Sequence, residues 1–175
     1  MDLRVIKTRK RIREAFLELR AAEPLEKIKV TRLCELAVIN KTTFYKHYQD
    51  IYALSEEVEN EAILSIIESF DHLNSLFTDP GGFFKGLYFA FISHKELILT
   101  IFSGRMDILI SKVETQLISH YPRLNAIPER RILLSLLFWG GSHVLMEAQY
   151  PEEVLLDTLT RATQAIISII DEPAT

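Results

Sequence analysis

The densest run of chemically useful side chains is Lys41-Thr42-Thr43-Phe44-Tyr45-Lys46-His47-Tyr48. On a helix, Phe44 is the apolar position expected to pack against Phe16 and Leu33. That leaves Lys41, Thr42, Thr43, Tyr45, Lys46 and His47 on a largely polar surface. Short polar side chains reach base edges, and a threonine methyl suits thymine. A tyrosine hydroxyl donates to a phosphate oxygen, and the two lysines supply charge for counterion release. This is the chemistry of nucleic-acid contact.

Other constellations are thin. His143 and Glu147 stand four residues apart, without an HExxH sequence or a third ligand nearby. The five histidines (His47, His72, His94, His120, His143) are scattered, so no metal site is expected. There is no G-x-S-x-G, no phosphate-binding glycine loop and no cysteine–histidine pair at recognisable spacing. The chain therefore does not read as an enzyme, and no catalytic residue or cofactor is expected. Cys34 is the single cysteine. It excludes an intramolecular disulfide and a cysteine-based metal site, and the helical pattern turns it inward as an inert thiol.

The elements that must position the 41–48 run are helical. Ile12, Ala15, Phe16 and Leu19 follow i, i+3, i+4, i+7 and predict a first helix over 5–21. Pro24 sits in the break after it. Val30, Leu33, Cys34 and Ala37 predict a short second helix, and a third runs over 41–48 with Asn40 as N-cap. A long helix from Asp50, its cap, to about residue 73 follows. After the break at Thr78-Asp79-Pro80-Gly81-Gly82, further helices are expected over 83–93, 94–102, 105–120, 129–148 and 151–171. Pro151 takes the first position of the last. No segment alternates with period two and no internal repeat is visible. The expected fold is all-α with about nine helices: a three-helix head over 1–48 and a C-terminal helical domain over 49–175.

Charge is divided in the same way. The chain of 175 residues carries a net −4. Residues 1–49 hold twelve Lys/Arg against six Asp/Glu, a net +6, and the remainder carries −10. A basic head on an acidic body aims one end at a polyanion. The N-terminus lacks an apolar signal-peptide core and no run of about 18 apolar residues exists, so the reading is cytoplasmic with no membrane partner.

Three short helices followed by a long one, with the basic excess on the short ones, suggest helix-turn-helix. The stretch 28–48, and above all Thr43-Phe44-Tyr45-Lys46-His47-Tyr48 followed by Asp50-Ile51-Tyr52-Ala53-Leu54, resembles the DNA-binding domain of the TetR (tetracycline-repressor) family of transcriptional regulators. The resemblance covers about residues 8–55. It implies a homodimer on a palindromic double-stranded operator, contacted by Lys29, Thr31, Lys41, Thr42, Thr43, Tyr45, Lys46 and His47. In the family, the positions of Tyr45 and His47 commonly meet phosphates. It also implies dimerisation through the last two helices, with Leu136, Gly140, Val144, Leu155, Leu159, Ala162 and Ile166 as candidates. A small-molecule effector pocket lies in the family's body, and Tyr88, Phe91, Phe102, Trp139, His143 and Met146 are candidates to line it. The expected logic is repression released by that effector. The alternative is a co-regulator of the same type that works through a protein partner and has weak or no operator binding of its own.

Two positions depart from the family pattern. Val38 stands where most members have a turn glycine, which permits a left-handed backbone. Lys29 stands where a Thr or Ser often caps the second helix, so that cap is expected to shift to Thr31 or to be missing.

Overall fold

The computed structural model describes residues 3–70, 75–119, 128–147 and 149–171. Nine α-helices and no strand lie among them: α1 (Leu3–Ala22), α2 (Val30–Leu36), α3 (Lys41–Tyr45), α4 (Ile51–Glu68), α5 (Pro80–Ser93), α6 (Lys95–Ile101), α7 (Met106–Ser119), α8 (Pro128–Glu147) and α9 (Glu152–Asp171). The fold is all-α, as the periodicity predicts.

Helix ends follow capping chemistry. Asn40 Oδ1 accepts from Thr43 N at 2.7 Å, and Asp50 Oδ1 accepts from Ala53 N at 2.8 Å. Each satisfies an amide that the first turn leaves without an intrahelical partner. α5 begins three residues earlier than its apolar pattern suggests. Asp79 caps it through Gly82 N at 2.9 Å, and Pro80 needs no amide partner in the first turn. Pro151 is not the first helical residue of α9 but precedes it, its carbonyl accepting from Leu155 N at 3.0 Å. A 3-10 turn at Leu25–Lys27, absent from the sequence reading, buries Leu25 between α1 and α2. α3 is shorter than expected: past Tyr45, tight turn bonds from His47 N and Tyr48 N to Phe44 O carry the chain to Tyr48. The expected end of the fourth helix near residue 73 lies outside the described residues.

The chain divides into two compact units, one of Met1–Leu64 with Lys95–Arg105, the other of Ser65–His94 with Met106–Thr175. The division does not coincide with a boundary at 48/49. The first unit keeps most of α4 and recruits α6, which packs on α1. Its core contains Ile12, Phe16, Leu33, Phe44, Leu54, Ile98, Ile101 and Phe102. Arg20 is buried with them. Its guanidinium donates to Glu23 O and to Ile101 O, both at 2.9 Å, so α1 satisfies a carbonyl at the C-terminal end of α6. Burial and the neighbouring Arg105 cation push the Arg20 pKa down. Glu59, 2 % exposed, accepts from Arg105 at 2.8 Å and from Ser55 at 2.7 Å, which compensates the cost of a buried carboxylate.

In the second unit α9 packs on α5 and α8, and α8 on α7. A Cβ at Gly141 would meet Phe84 at 3.5 Å and Leu159 at 3.6 Å, ordinary contact distances, so this face of α8 packs against both. Gly140 faces open space. No helix among the described residues is long and apolar enough to cross a membrane.

Candidate nucleic-acid interface

The head places its polar residues by burying the apolar ones between them. Leu33, Cys34 and Ala37 turn α2 inward, and Phe44 turns α3 inward, fully buried. Phe44 stacks edge-on with Tyr45, ring centroids 5.4 Å apart, and tilted against Tyr48 at 5.7 Å. With Phe44 fixed, Lys41, Thr42, Tyr45 and Lys46 are exposed, Tyr45 by 55 %. Thr43 and His47 are half-buried. Thr43 is drawn toward the cap, its hydroxyl donating to Asn40 Oδ1 at 2.9 Å. At the start of α2, Lys29 and Thr31 are exposed. All eight expected contact residues thus lie in the head, six of them exposed. Residues 36–49 contain no carboxylate; Asp50, the next acid, caps α4 through Ala53 N. Neither Lys41 nor Lys46 forms an ion pair among the described residues.

Both departures have structural consequences. Val38 has φ 53, the one positive φ outside glycine among the described residues. The turn still closes as a Schellman motif, with Ile39 N bonded to Cys34 O at 2.9 Å and Val38 N to Glu35 O at 3.2 Å. A valine held there carries about 1–2 kcal/mol of strain. At 77 % exposure its side chain recovers little of this by packing. Lys29 is the N-cap of α2 and makes no side-chain capping bond. Thr31, two positions inside, does not replace it, so the cap is missing rather than shifted.

A feature that sequence reasoning missed holds the end of α3. Tyr48, 5 % exposed, donates its hydroxyl to Glu57 Oε1 at 2.7 Å. Arg9 of α1 pairs with the other oxygen of Glu57 and lies 5.7 Å over the Tyr48 ring. Burial, then the bond to Glu57, push the Tyr48 pKa well up and keep its proton in that bond, while the Glu57 bond raises Arg9. One turn further, Arg13 pairs with Glu61. The four-residue spacing of Arg9 and Arg13 on α1, matched by Glu57 and Glu61 on α4, was the available signal. Cys34 is buried and its thiol is pushed up by desolvation, with Lys41 partly opposing, which leaves it protonated and unreactive.

The second unit contains an apolar cavity of about 40 Å³ lined by Leu76, Phe83, Phe84, Glu114, Leu117, Ile118, Leu134, Leu137 and Phe138. It also has a more open groove of about 240 Å³ lined by Ser69, Phe70, Gly86, Phe89, Ala90, Ser93 and His94. Neither is lined by Tyr88, Phe91, Phe102, Trp139, His143 or Met146. Phe102 sits in the core of the first unit, because α6 packs on α1. Trp139 spends its indole N–H on Glu114 Oε2 at 2.9 Å, while Ser135 donates to Oε1 at 2.5 Å. Tyr88, Phe91 and Met146 are half-buried and His143 is exposed. Of the expected dimer residues, Leu155 and Leu159 are buried within the chain. Leu136 (65 % exposed), Gly140 and Ala162 face outward, and Val144 and Ile166 are half-buried. No cluster of three His, Cys, Asp or Glu suited to a metal lies among the described residues.

No protein-family model matches the chain, and no curated protein matches it.

Proposed function

We propose that this chain is a DNA-binding transcriptional regulator of the TetR type, acting as a homodimer on a palindromic operator. The observation that carries the reading is the α3 surface. A fully buried Phe44 turns Lys41, Thr42, Tyr45 and Lys46 outward, on a stretch with no carboxylate from 36 to 49. That arrangement combines phosphate-neutralising cations with side chains able to reach base edges. Lys29 and Thr31 extend it across α2.

Dimerisation through α8 and α9 is part of the proposal. Ile132, Leu136 and Gly140 form an outward stripe at four-residue spacing on α8, and Ala162, Ala165 and Ile169 are exposed on α9. A two-fold dimer matches two half-sites one helical turn apart. The effector reading is narrower than the sequence suggests. The apolar cavity beside Glu114 is far smaller than the roughly 300–1,000 Å³ of ordinary small-molecule sites, so an effector there has to open it. A ligand changes DNA affinity only if it binds the opened and closed states unequally.

Selection of bound duplexes from fragmented genomic DNA tests the reading. A recurrent palindromic sequence bound by the purified protein is the expected result. Failure to enrich any sequence at low salt would remove it.

A further inference from the structure

We propose that Val38 is a base-reading residue, its isopropyl group contacting the 5-methyl group of a thymine in the major groove. This rests on the DNA-binding reading above.

Val38 is a side chain that the fold itself does not reward. Val38 adopts a left-handed backbone that disfavours β-branched residues, and it is the most exposed of the large hydrophobics among the described residues, at 77 %. Glycine would take the same backbone without strain, so stability does not account for a valine here. The turn is not loose. The Val38 and Ile39 amides are both bonded to α2 carbonyls, Ala37 is buried and Ile39 half-buried, so the isopropyl group is held outward. Two residues later Asn40 caps α3, and the exposed Lys41 and Thr42 follow at once.

The stretch 36–49 itself carries no carboxylate, and the exposed Glu35 and Asp50 lie at its two ends. The group a duplex offers an apolar side chain in the major groove is the thymine methyl, since the remaining base-edge features there are hydrogen-bond donors and acceptors. Phosphates and sugars would reward a cation or a donor at this position instead.

The test places the change on the DNA first, where protein folding is not at issue. Each thymine of the selected duplex is replaced in turn by deoxyuridine, which lacks only the methyl group, and binding of the full chain is measured by fluorescence anisotropy. The expected result is one symmetry-related position at which the loss weakens binding about fourfold per half-site, the effect of exposing one methyl-sized group. The same series is run with Val38→Ala, which keeps the backbone demand and removes two methyls. There the discrimination at that position should vanish. If deoxyuridine costs the native chain nothing at every position, or if Val38→Ala shows the same loss, the inference is overturned while the DNA-binding reading stands. If the native chain selects no sequence at all, both fail together.

Discussion

Tyr48 and Glu57 share a hydrogen bond of 2.7 Å that joins the turn after α3 to the second turn of α4. Glu57 is held in turn by Arg9 of α1, which also covers the Tyr48 ring. The surface proposed to read DNA is therefore tied to two long helices through one carboxylate. Tyr48→Phe removes the hydroxyl and keeps the ring. It should lower stability by about 1.5–3 kcal/mol, the value of a hydrogen bond to a charged group. Denaturant unfolding measures this, and a change within a few tenths of a kcal/mol would show that the bond adds nothing.

Val38→Gly should leave the protein folded and raise its melting temperature. Relief of the left-handed strain, about 1–2 kcal/mol, outweighs the added freedom of glycine in the unfolded chain, about 0.5–1 kcal/mol. A clear loss of stability would mean that Val38 packs rather than strains.

Lys29→Ser should move stability and binding in opposite directions. Serine at this N-cap can accept an amide of α2 that no side chain now satisfies, a gain of about 1 kcal/mol. The same change removes a cation from the proposed DNA surface, so affinity for the selected duplex should fall. Parallel thermal melts and binding titrations check both. A variant that gains stability with unchanged affinity would remove Lys29 from the interface.

Stability should also decline at alkaline pH through Cys34. Burial raises its pKa above the ordinary 9.0 in the folded state. The unfolded chain releases the thiol proton first, so stability is present in full below about pH 9 and falls as pH rises beyond it. Cys34→Ala should flatten the fall in unfolding midpoint above about pH 9. An unchanged slope would assign the decline to other groups.

What was legible in the sequence was local. Ile12, Phe16 and Leu19 repeat at helical spacing, Asn40 precedes a helix it can cap, and Phe44 is the lone apolar residue among polar neighbours. Each of these is decided within a turn or two of chain. What was not legible depends on partners far along the chain. That α6 joins the head unit follows from its packing on α1 and from Arg20 reaching Ile101 O, contacts between residues 81 positions apart. Phe102 belongs to that unit with it. The facing of α8 was obscure for another reason. It carries apolar residues nearly all the way round, so Leu137 turned inward and Leu136 outward without a periodic signal to separate them.

The central claim, that the α3 surface binds an operator, is met most directly by the salt dependence of binding to the selected duplex. The logarithm of the affinity should fall linearly and steeply with the logarithm of salt concentration. Lys46→Ala should reduce that slope by about one per half-site and leave the preferred sequence unchanged. A slope near zero for the native chain, or one that Lys46→Ala does not alter, would contradict the account.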